Sequence, residues 1–176
     1  MTHLGRLKSR LPWFGAALLG GALGFLLTAP SASAQAAYGS YIGIGGSFGA
    51  TDGPTGDGTS GGGVIAFRYK FLEVPISIRA QALIGQSTAF VPTVSYDVPL
   101  NWQTDAYIGM GAAIQDSDQN TSPVGNQTSF VLQPGIDHSF PYSNLVLFGN
   151  AIIAFDAYKN SNDTAASIQG GLGVRF

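Results

Sequence analysis

The sequence predicts an all-β protein, an eight-stranded antiparallel up-and-down transmembrane β-barrel that is preceded by a signal peptide. Apolar residues alternate with small or polar ones along eight segments, each of about the nine to eleven residues that a tilted membrane-crossing strand needs. Long and short connections mostly alternate between these segments. Charged residues make up only 10% of the chain, whereas soluble domains carry about 25%.

The amino terminus has the pattern of a secretory signal peptide. Three basic residues precede the apolar run FGAALLGGALGFLLTA, and the sequence ASA at 32–34 has the spacing of a cleavage site. The run is shorter than the roughly 18 residues of a membrane-spanning helix. We therefore expect a signal peptide at residues 1–34 and a barrel at residues 35–176.

The region after residue 34 has no cysteine and few basic residues. Without disulfides, an exported domain of this size must close its fold by other means. No basic patch is available for nucleic acid, so we expect no nucleic-acid partner. Acidic residues outnumber basic ones in this region by ten to five. The basic residues are Arg68, Lys70, Arg79, Lys159 and Arg175.

The predicted strands run approximately over residues 39–50, 62–71, 75–86, 90–98, 104–115, 128–138, 145–156 and 165–176. Successive side chains of a strand point to opposite faces, so each segment has one apolar row. The seventh segment is less regular, because Phe148 and Ile152 stand in the row opposite its main apolar one. Pro92 and Pro134 remove ladder donors and predict a bulge or a local defect in their strands.

The connections favour a membrane barrel. Those after the first, fifth and seventh segments are long and polar, those after the second, fourth and sixth are shorter, and the short link after the third departs from the pattern. Outer-membrane barrels have long loops outside and tight turns toward the periplasm. Aromatic residues near both ends of the segments predict two interfacial girdles.

The chemistry of the two rows decides which one faces inward. A soluble barrel such as a lipocalin turns its apolar row inward and needs a charged outer surface. Here the polar row is mostly Gly, Ser and Gln with few charges, which suits the narrow interior of eight strands. A closed barrel also pairs every backbone group, as lipid contact requires. We therefore expect the apolar row to face lipid.

With its signal peptide, its eight alternating segments and its ending GGLGVRF, the chain resembles the small eight-stranded outer-membrane β-barrel family of opacity and OmpX-like proteins. The resemblance implies a Gram-negative-type envelope, location in the outer membrane, and contact with the bilayer and its outer-leaflet lipids. Leu172, Val174 and Phe176 look like the assembly signal that the outer-membrane assembly machinery reads in that family. Members include adhesins, structural proteins and narrow pores, so the fold alone does not fix the function.

Charged residues on the inward rows predict a network in the lumen. Buried charges need partners, and arginine pairs well with carboxylates. We expect a salt-bridge plug toward the periplasmic half, and the alternative is a small hydrated channel lined by the same groups. The network residues are Arg68, Arg79, Arg175, Asp97, Asp105 and Asp137.

No pattern indicates catalysis, a cofactor or a metal site. His138 and Ser139 are adjacent, so they point to opposite faces of their strand and cannot form a nucleophile–base pair. Asp116 and Asp118 match the opening of a calcium loop, but Thr121 replaces its glycine.

We therefore expect a monomeric, non-enzymatic integral outer-membrane barrel that contributes to envelope structure or to surface-loop interactions. The alternatives are a narrow passive pore for small solutes and a soluble secreted binding barrel.

Overall fold

The computed structural model describes residues 39–51, 61–115, 122–159 and 162–176, so the predicted signal peptide lies outside the described residues. Within those ranges, no helix is long and apolar enough to cross a membrane. The described residues form eight strands: β1 (Tyr41–Gly49), β2 (Gly61–Lys70), β3 (Ile76–Ile84), β4 (Thr88–Asn101), β5 (Thr104–Ala113), β6 (Ser129–Ser139), β7 (Leu145–Phe155) and β8 (Ala165–Arg175).

The eight strands close into a barrel, as the sequence predicts. Each strand pairs antiparallel with the next, and β8 pairs antiparallel with β1. In this closing pair Tyr41 lies opposite Arg175 and Gly49 lies opposite Ser167. Every strand therefore has two neighbours, which removes the exposed sheet edge that an open sheet would present.

The connections differ between the two ends of the barrel, and the predicted asymmetry is confirmed. The end that we call the turn end carries residues 71–75, 102–103 and 140–144. The opposite end, which we call the loop end, carries residues 50–60, 85–87, 114–128 and 156–164. The link at 85–87 is the short one that departs from the pattern.

Strand β4 is longer than the sequence suggests, because it continues to Asn101 instead of stopping at residue 98. Its pairing with β5 shifts register between Pro99 and Asn101. This irregularity accommodates an extra residue, as a β-bulge does. Pro99 and Asn101 are residue types that favour a turn, but the bulge allows both to remain in the strand. The turn is therefore limited to residues 102–103.

Pro92 and Pro134 cause local gaps in the ladder without a change of register. Pro92 stays opposite Ala80 of β3, while the regular β4–β5 pairing begins only at Thr93. On the far side of the gap, Phe90 exchanges two backbone hydrogen bonds with Ile114. Because proline has no N–H, each gap loses ladder bonds on one side of the strand. Of the two predicted outcomes, the local defect is the one found.

The apolar rows face outward and the charged residues face inward. Ile42 and Leu172 are 54% and 52% exposed, whereas Arg68 and Arg79 are both 2% exposed. Every charged residue of the eight described strands falls on the inward row. The predicted orientation is confirmed, and it is the opposite of the arrangement in a soluble barrel. The outer surface is an apolar band of the kind that contacts lipid.

Candidate functional site

The lumen is the candidate functional site, and three levels of side chains occupy it. Near the turn end is an ionic layer formed by Arg68, Lys70, Arg79, Asp97, Asp105 and Asp137. Half-way along the strands is an amide layer formed by Gln81, Gln133, Asn150 and Gln169. Toward the loop end is an apolar layer that includes Val64, Leu83, Val91, Val131 and Ile152.

Arg68 is the centre of the ionic layer. Its Nη2 lies 2.8 Å from Asp97 Oδ2 and 2.9 Å from Asp105 Oδ2. Its Nη1 lies 3.0 Å from Asp137 Oδ2. One guanidinium therefore joins carboxylates from β4, β5 and β6 across the lumen. The planar fork of arginine suits this role, because its donors point in several fixed directions at once.

Arg79 lies directly opposite Arg68 in the β2–β3 register. Like charges at opposed positions destabilise a sheet, but here the carboxylates offset the repulsion. Arg79 Nη2 lies 2.9 Å from Asp137 Oδ2 and 3.2 Å from Asp97 Oδ1. With Lys70 Nζ at 2.7 Å from Asp105 Oδ2, three cations face three carboxylates and the layer carries no net formal charge.

Neutral side chains satisfy much of the remaining hydrogen-bonding capacity of the ionic layer. Arg68 Nε donates to Ser77 Oγ at 3.1 Å, and Ser77 Oγ donates to Asp97 Oδ2. Arg79 Nε donates to Ser95 Oγ at 2.9 Å. Tyr41 donates to Asp137 Oδ1 at 3.0 Å. Buried ion pairs are tolerated when additional hydrogen bonds satisfy the remaining donors and lone pairs, and these contacts do so.

Two aromatic rings complete the turn-end half of the lumen. The guanidinium carbon of Arg79 lies 3.3 Å from the ring centroid of Tyr107, which is a cation–π contact. The Tyr41 ring stacks on Phe148 at 5.8 Å between centroids. Glycine makes room for Phe148, because a Cβ on Gly171 would lie 2.7 Å from Phe148 Cζ. The inward glycines of the sequence are therefore packing positions for these rings.

Five of the six charged residues that the sequence singles out are joined by these ion pairs. The sixth, Arg175, lies at the same end of the barrel and donates a hydrogen bond to the backbone carbonyl of Ser143. Sequence reasoning missed Lys70 as a member of the network. The alternation of the strand could have identified it, because Lys70 is two residues from Arg68 and therefore lies on the same inward row.

The loop-end half of the lumen departs from the expectation of a polar interior. Its inward positions are aliphatic, and Leu83, Val91 and Val131 are fully buried. Two loop-end connections add Val124, Ala157 and Tyr158 to the same buried cluster. Nothing in strict alternation requires the inward row to be polar, so the alternation predicted which residues face inward but not their chemistry.

Hydrogen bonds fix the two connections to each other. The backbone N–H of Asn126 donates to the carbonyl of Ala157 at 2.9 Å. Within the connection between β5 and β6, Gln115 Nε2 donates to the carbonyls of Val124 and Gln127, both at 3.2 Å. The described parts of these loops therefore pack as one unit with the apolar layer.

Catalytic and metal-binding geometry is not found among the described residues. His138 Nδ1 lies 3.0 Å from Thr104 Oγ1, and its ring packs edge-on against Phe140. No group of three or more His, Cys, Asp or Glu side chains in the described ranges could hold a metal ion. The calcium-like motif at 116–121 lies outside the described residues.

A comparison with solved structures finds this architecture in the crystal structure of Neisserial surface protein A, an eight-stranded outer-membrane β-barrel. The two chains are 13% identical, the TM-score is 0.55, and the match covers 78% of this chain and 97% of the other. No protein-family model matches the chain. No curated protein matches it. On its strand count, closure, outward apolar rows and this structural match, the chain has the fold of a small eight-stranded outer-membrane β-barrel.

Proposed function

We propose that the protein is a non-enzymatic integral outer-membrane barrel with a closed lumen, which contributes to envelope structure or presents its loop-end connections to surface partners. The observation that carries this proposal is that ion pairs fill one half of the lumen and aliphatic side chains fill the other. A transport pathway needs a continuous polar passage, and the buried aliphatic side chains of the loop-end half interrupt one. The interior is therefore a structural core, and the accessible surfaces are the lipid-facing band and the loops.

The outer surface supports the location in the outer membrane. Its exposed apolar residues occur on all eight strands, for example Ile44 on β1, Met110 on β5 and Leu172 on β8. Water would hydrate such a surface poorly, and a band of this kind in a bilayer removes it from water. The partners that we propose are the bilayer with its outer-leaflet lipids and the outer-membrane assembly machinery, and the barrel acts as a monomer.

Location is tested by separating inner and outer membranes of cells that produce the protein. We expect the barrel in the outer-membrane fraction, with a different gel mobility before and after boiling because a closed barrel resists detergent unfolding. Recovery in a detergent-free soluble fraction would contradict the proposal and would support a secreted barrel.

Closure of the lumen is tested by single-channel recording and liposome swelling with purified protein. We expect no stable conductance and no swelling with small sugars. A stable conductance that is unchanged in Arg79→Ala would show an open passage that does not depend on the ionic layer. That result would replace the closed barrel with a narrow passive pore.

The proposed assembly signal is Leu172, Val174 and Phe176, all exposed on the outward row at the turn end. Phe176 also stacks on Phe67 of β2 at 6.1 Å between centroids. We expect Phe176→Ala to reduce the amount of protein assembled in the outer membrane of cells, while the purified variant still folds in detergent. Phe140→Ala, another exposed aromatic at the turn end, is the control. Equal loss in both variants would indicate a general aromatic effect.

A further inference from the structure

Two side chains of the amide layer have a buried carbonyl oxygen that accepts no hydrogen bond from any described residue. These atoms are Gln81 Oε1 and Gln169 Oε1, in side chains that are 3% and 2% exposed. In folded proteins, buried polar atoms are paired either with protein or with ordered water. A buried acceptor with neither loses its hydration without compensation. Both oxygens therefore require a donor.

Several side-chain donors of the amide layer are already in use, but the buried Nδ2 of Asn150, which lies opposite Gln169 in the β7–β8 register, also lacks a hydrogen-bond partner among the described residues. Gln169 Nε2 donates to Ser167 Oγ at 2.6 Å and lies 3.4 Å from Ser47 Oγ. Thr93 donates to Gln133 Oε1 at 2.6 Å, and Gln133 Nε2 donates to Asn150 Oδ1 at 3.3 Å. The hydrogen bonds of the layer thus form two separate groups, and neither reaches the two free carbonyl oxygens.

The requirement does not depend on how the amide groups are oriented. Exchanging the oxygen and nitrogen of Gln169 would let the serine hydroxyls donate to its oxygen, but it would leave the –NH₂ group to find an acceptor. A molecule that completes the hydrogen bonds of the amide layer must therefore be able both to donate and to accept a hydrogen bond. It must also be small and uncharged, because the amide layer contains no charged side chain and lies in a narrow lumen.

The amide layer lies between the other two layers of the lumen. Gln81, Gln133 and Gln169 lie near the middle of β3, β6 and β8. Gly109 of β5 lies directly opposite Gln133 and contributes no side chain to the lumen. The ionic layer lies on one side of this level and the apolar layer on the other.

We infer that the amide layer is a binding site for ordered internal water, which donates to Gln81 Oε1 and Gln169 Oε1. Water is the smallest molecule that both donates and accepts, and buried waters commonly make about three hydrogen bonds to polar groups of this kind. The site is closed on both sides, so the water exchanges slowly with the solvent. The slow exchange, but not the binding, rests on the closed lumen that we propose above.

The test is water ¹⁷O magnetic relaxation dispersion on the folded protein in detergent micelles, which counts long-lived internal waters. We expect at least one long-lived water molecule per wild-type protein and its loss in the double variant Gln81→Leu/Gln169→Leu. The control is Gln86→Leu/Gln103→Leu, which makes the same chemical change at exposed connections and keeps the wild-type signal. A wild-type protein without long-lived water, or a double variant that keeps the full signal, would overturn the inference.

A second measurement uses only the wild-type protein, in case the double variant does not fold. Nuclear Overhauser transfer from water to the side-chain amide protons of Gln81 and Gln169 is expected, and its absence at both would overturn the inference. Failure of the proposed closed lumen is distinguishable, because it appears as conductance with rapid water exchange. Failure of the water site alone appears as a non-conducting barrel without water-to-amide transfer.

Discussion

The turn-end and loop-end halves of the lumen achieve the same burial with opposite chemistry. Arg79 is 2% exposed among ion pairs, and Leu83, four residues farther along β3 on the same inward row, is 0% exposed among aliphatic side chains. The strands and their closure are common to both halves. The difference shows that the wall of a narrow barrel does not dictate a polar interior, because any set of side chains that fills the space and satisfies its own hydrogen bonds is compatible with it.

The two halves also differ in how they depend on geometry. Aliphatic contacts are non-directional, so the apolar layer tolerates small shifts between strands. The ionic layer needs groups from five strands to meet within hydrogen-bond distance, because Asp97, Asp105 and Asp137 each share a cation with another carboxylate. A slip of one strand by one residue would turn its charge toward lipid. We therefore expect the ionic layer to fix strand register more strongly than the apolar layer does.

The largest expected effect comes from removing one cation of the ionic layer. Arg79→Ala leaves Asp97 and Asp137 with fewer partners in a buried site, and breaking a buried ion pair from one side costs about 3–5 kcal/mol. We expect a loss of this size in the free energy of unfolding, measured by urea titration in lipid vesicles. Glu73→Ala, which removes an exposed charge at the same end, should change it by less than about 0.5 kcal/mol. Equal losses would remove the distinction between buried and exposed charge.

A somewhat smaller effect is expected from the apolar layer. Leu83→Ala deletes buried methyl groups and leaves a cavity, which costs about 2–5 kcal/mol. The same urea titration measures it. Ile84→Ala changes the neighbouring residue, which faces outward and is 48% exposed, so the lipid can fill the space and the loss should be smaller. A larger loss for Ile84→Ala would mean that lipid contact, and not the packed lumen, dominates stability in this half.

The next largest effect is expected from overpacking the lumen around the ring of Phe148. Gly171→Val places a side chain against Phe148 and the neighbouring strand, and overpacking of this kind costs about 1–3 kcal/mol. Gly170→Val adds the same side chain on the outward face, where the new Cβ would meet no atom closer than 3.7 Å. We expect destabilisation only for Gly171→Val, read from the urea midpoint. Identical behaviour of the two variants would argue against tight packing around Phe148.

The smallest effect is expected from restoring a backbone hydrogen-bond donor at Pro92, near the boundary between the two halves of the lumen. Pro92→Val restores an N–H in the gap between β4 and β5, and one added backbone hydrogen bond contributes about 0.5–1.5 kcal/mol. We expect a small increase in the free energy of unfolding. The control is Pro141→Ala in an exposed turn, which adds no ladder bond and should change little. Destabilisation by Pro92→Val would show that the gap serves the packing of the lumen.

Much of the fold could be predicted from the sequence because strand periodicity is local. Alternation assigns Ile42 to one face and Gly43 to the other without knowledge of any other strand, and closure follows from the need to pair every backbone group in lipid. The ends of β4 could not be predicted in this way. The bulge near Pro99 depends on pairing with β5, whose register is not visible in either strand alone.

The candidate site was predictable only in part, for the same reason. Parity placed Arg68 and Asp137 on inward rows, but it does not give their height along the barrel or their distance across it. The roles of Lys70 and Tyr41 depend on how strands that are not neighbours are staggered, because their partners Asp105 and Asp137 lie on β5 and β6. The segregation into ionic, amide and apolar layers likewise arises only when the eight registers are combined.

The closing pair of strands brings distant parts of the chain together. The backbone N–H of Phe176 donates to the carbonyl of Ser40 at 3.3 Å, so a short peptide could join the two positions. A circularly permuted chain, opened within residues 85–87, would then keep every strand neighbour of the native barrel. We expect such a protein to fold in detergent although Phe176 no longer stands at the end of its sequence. Its assembly in cells would then show whether insertion, unlike folding, requires a terminal phenylalanine.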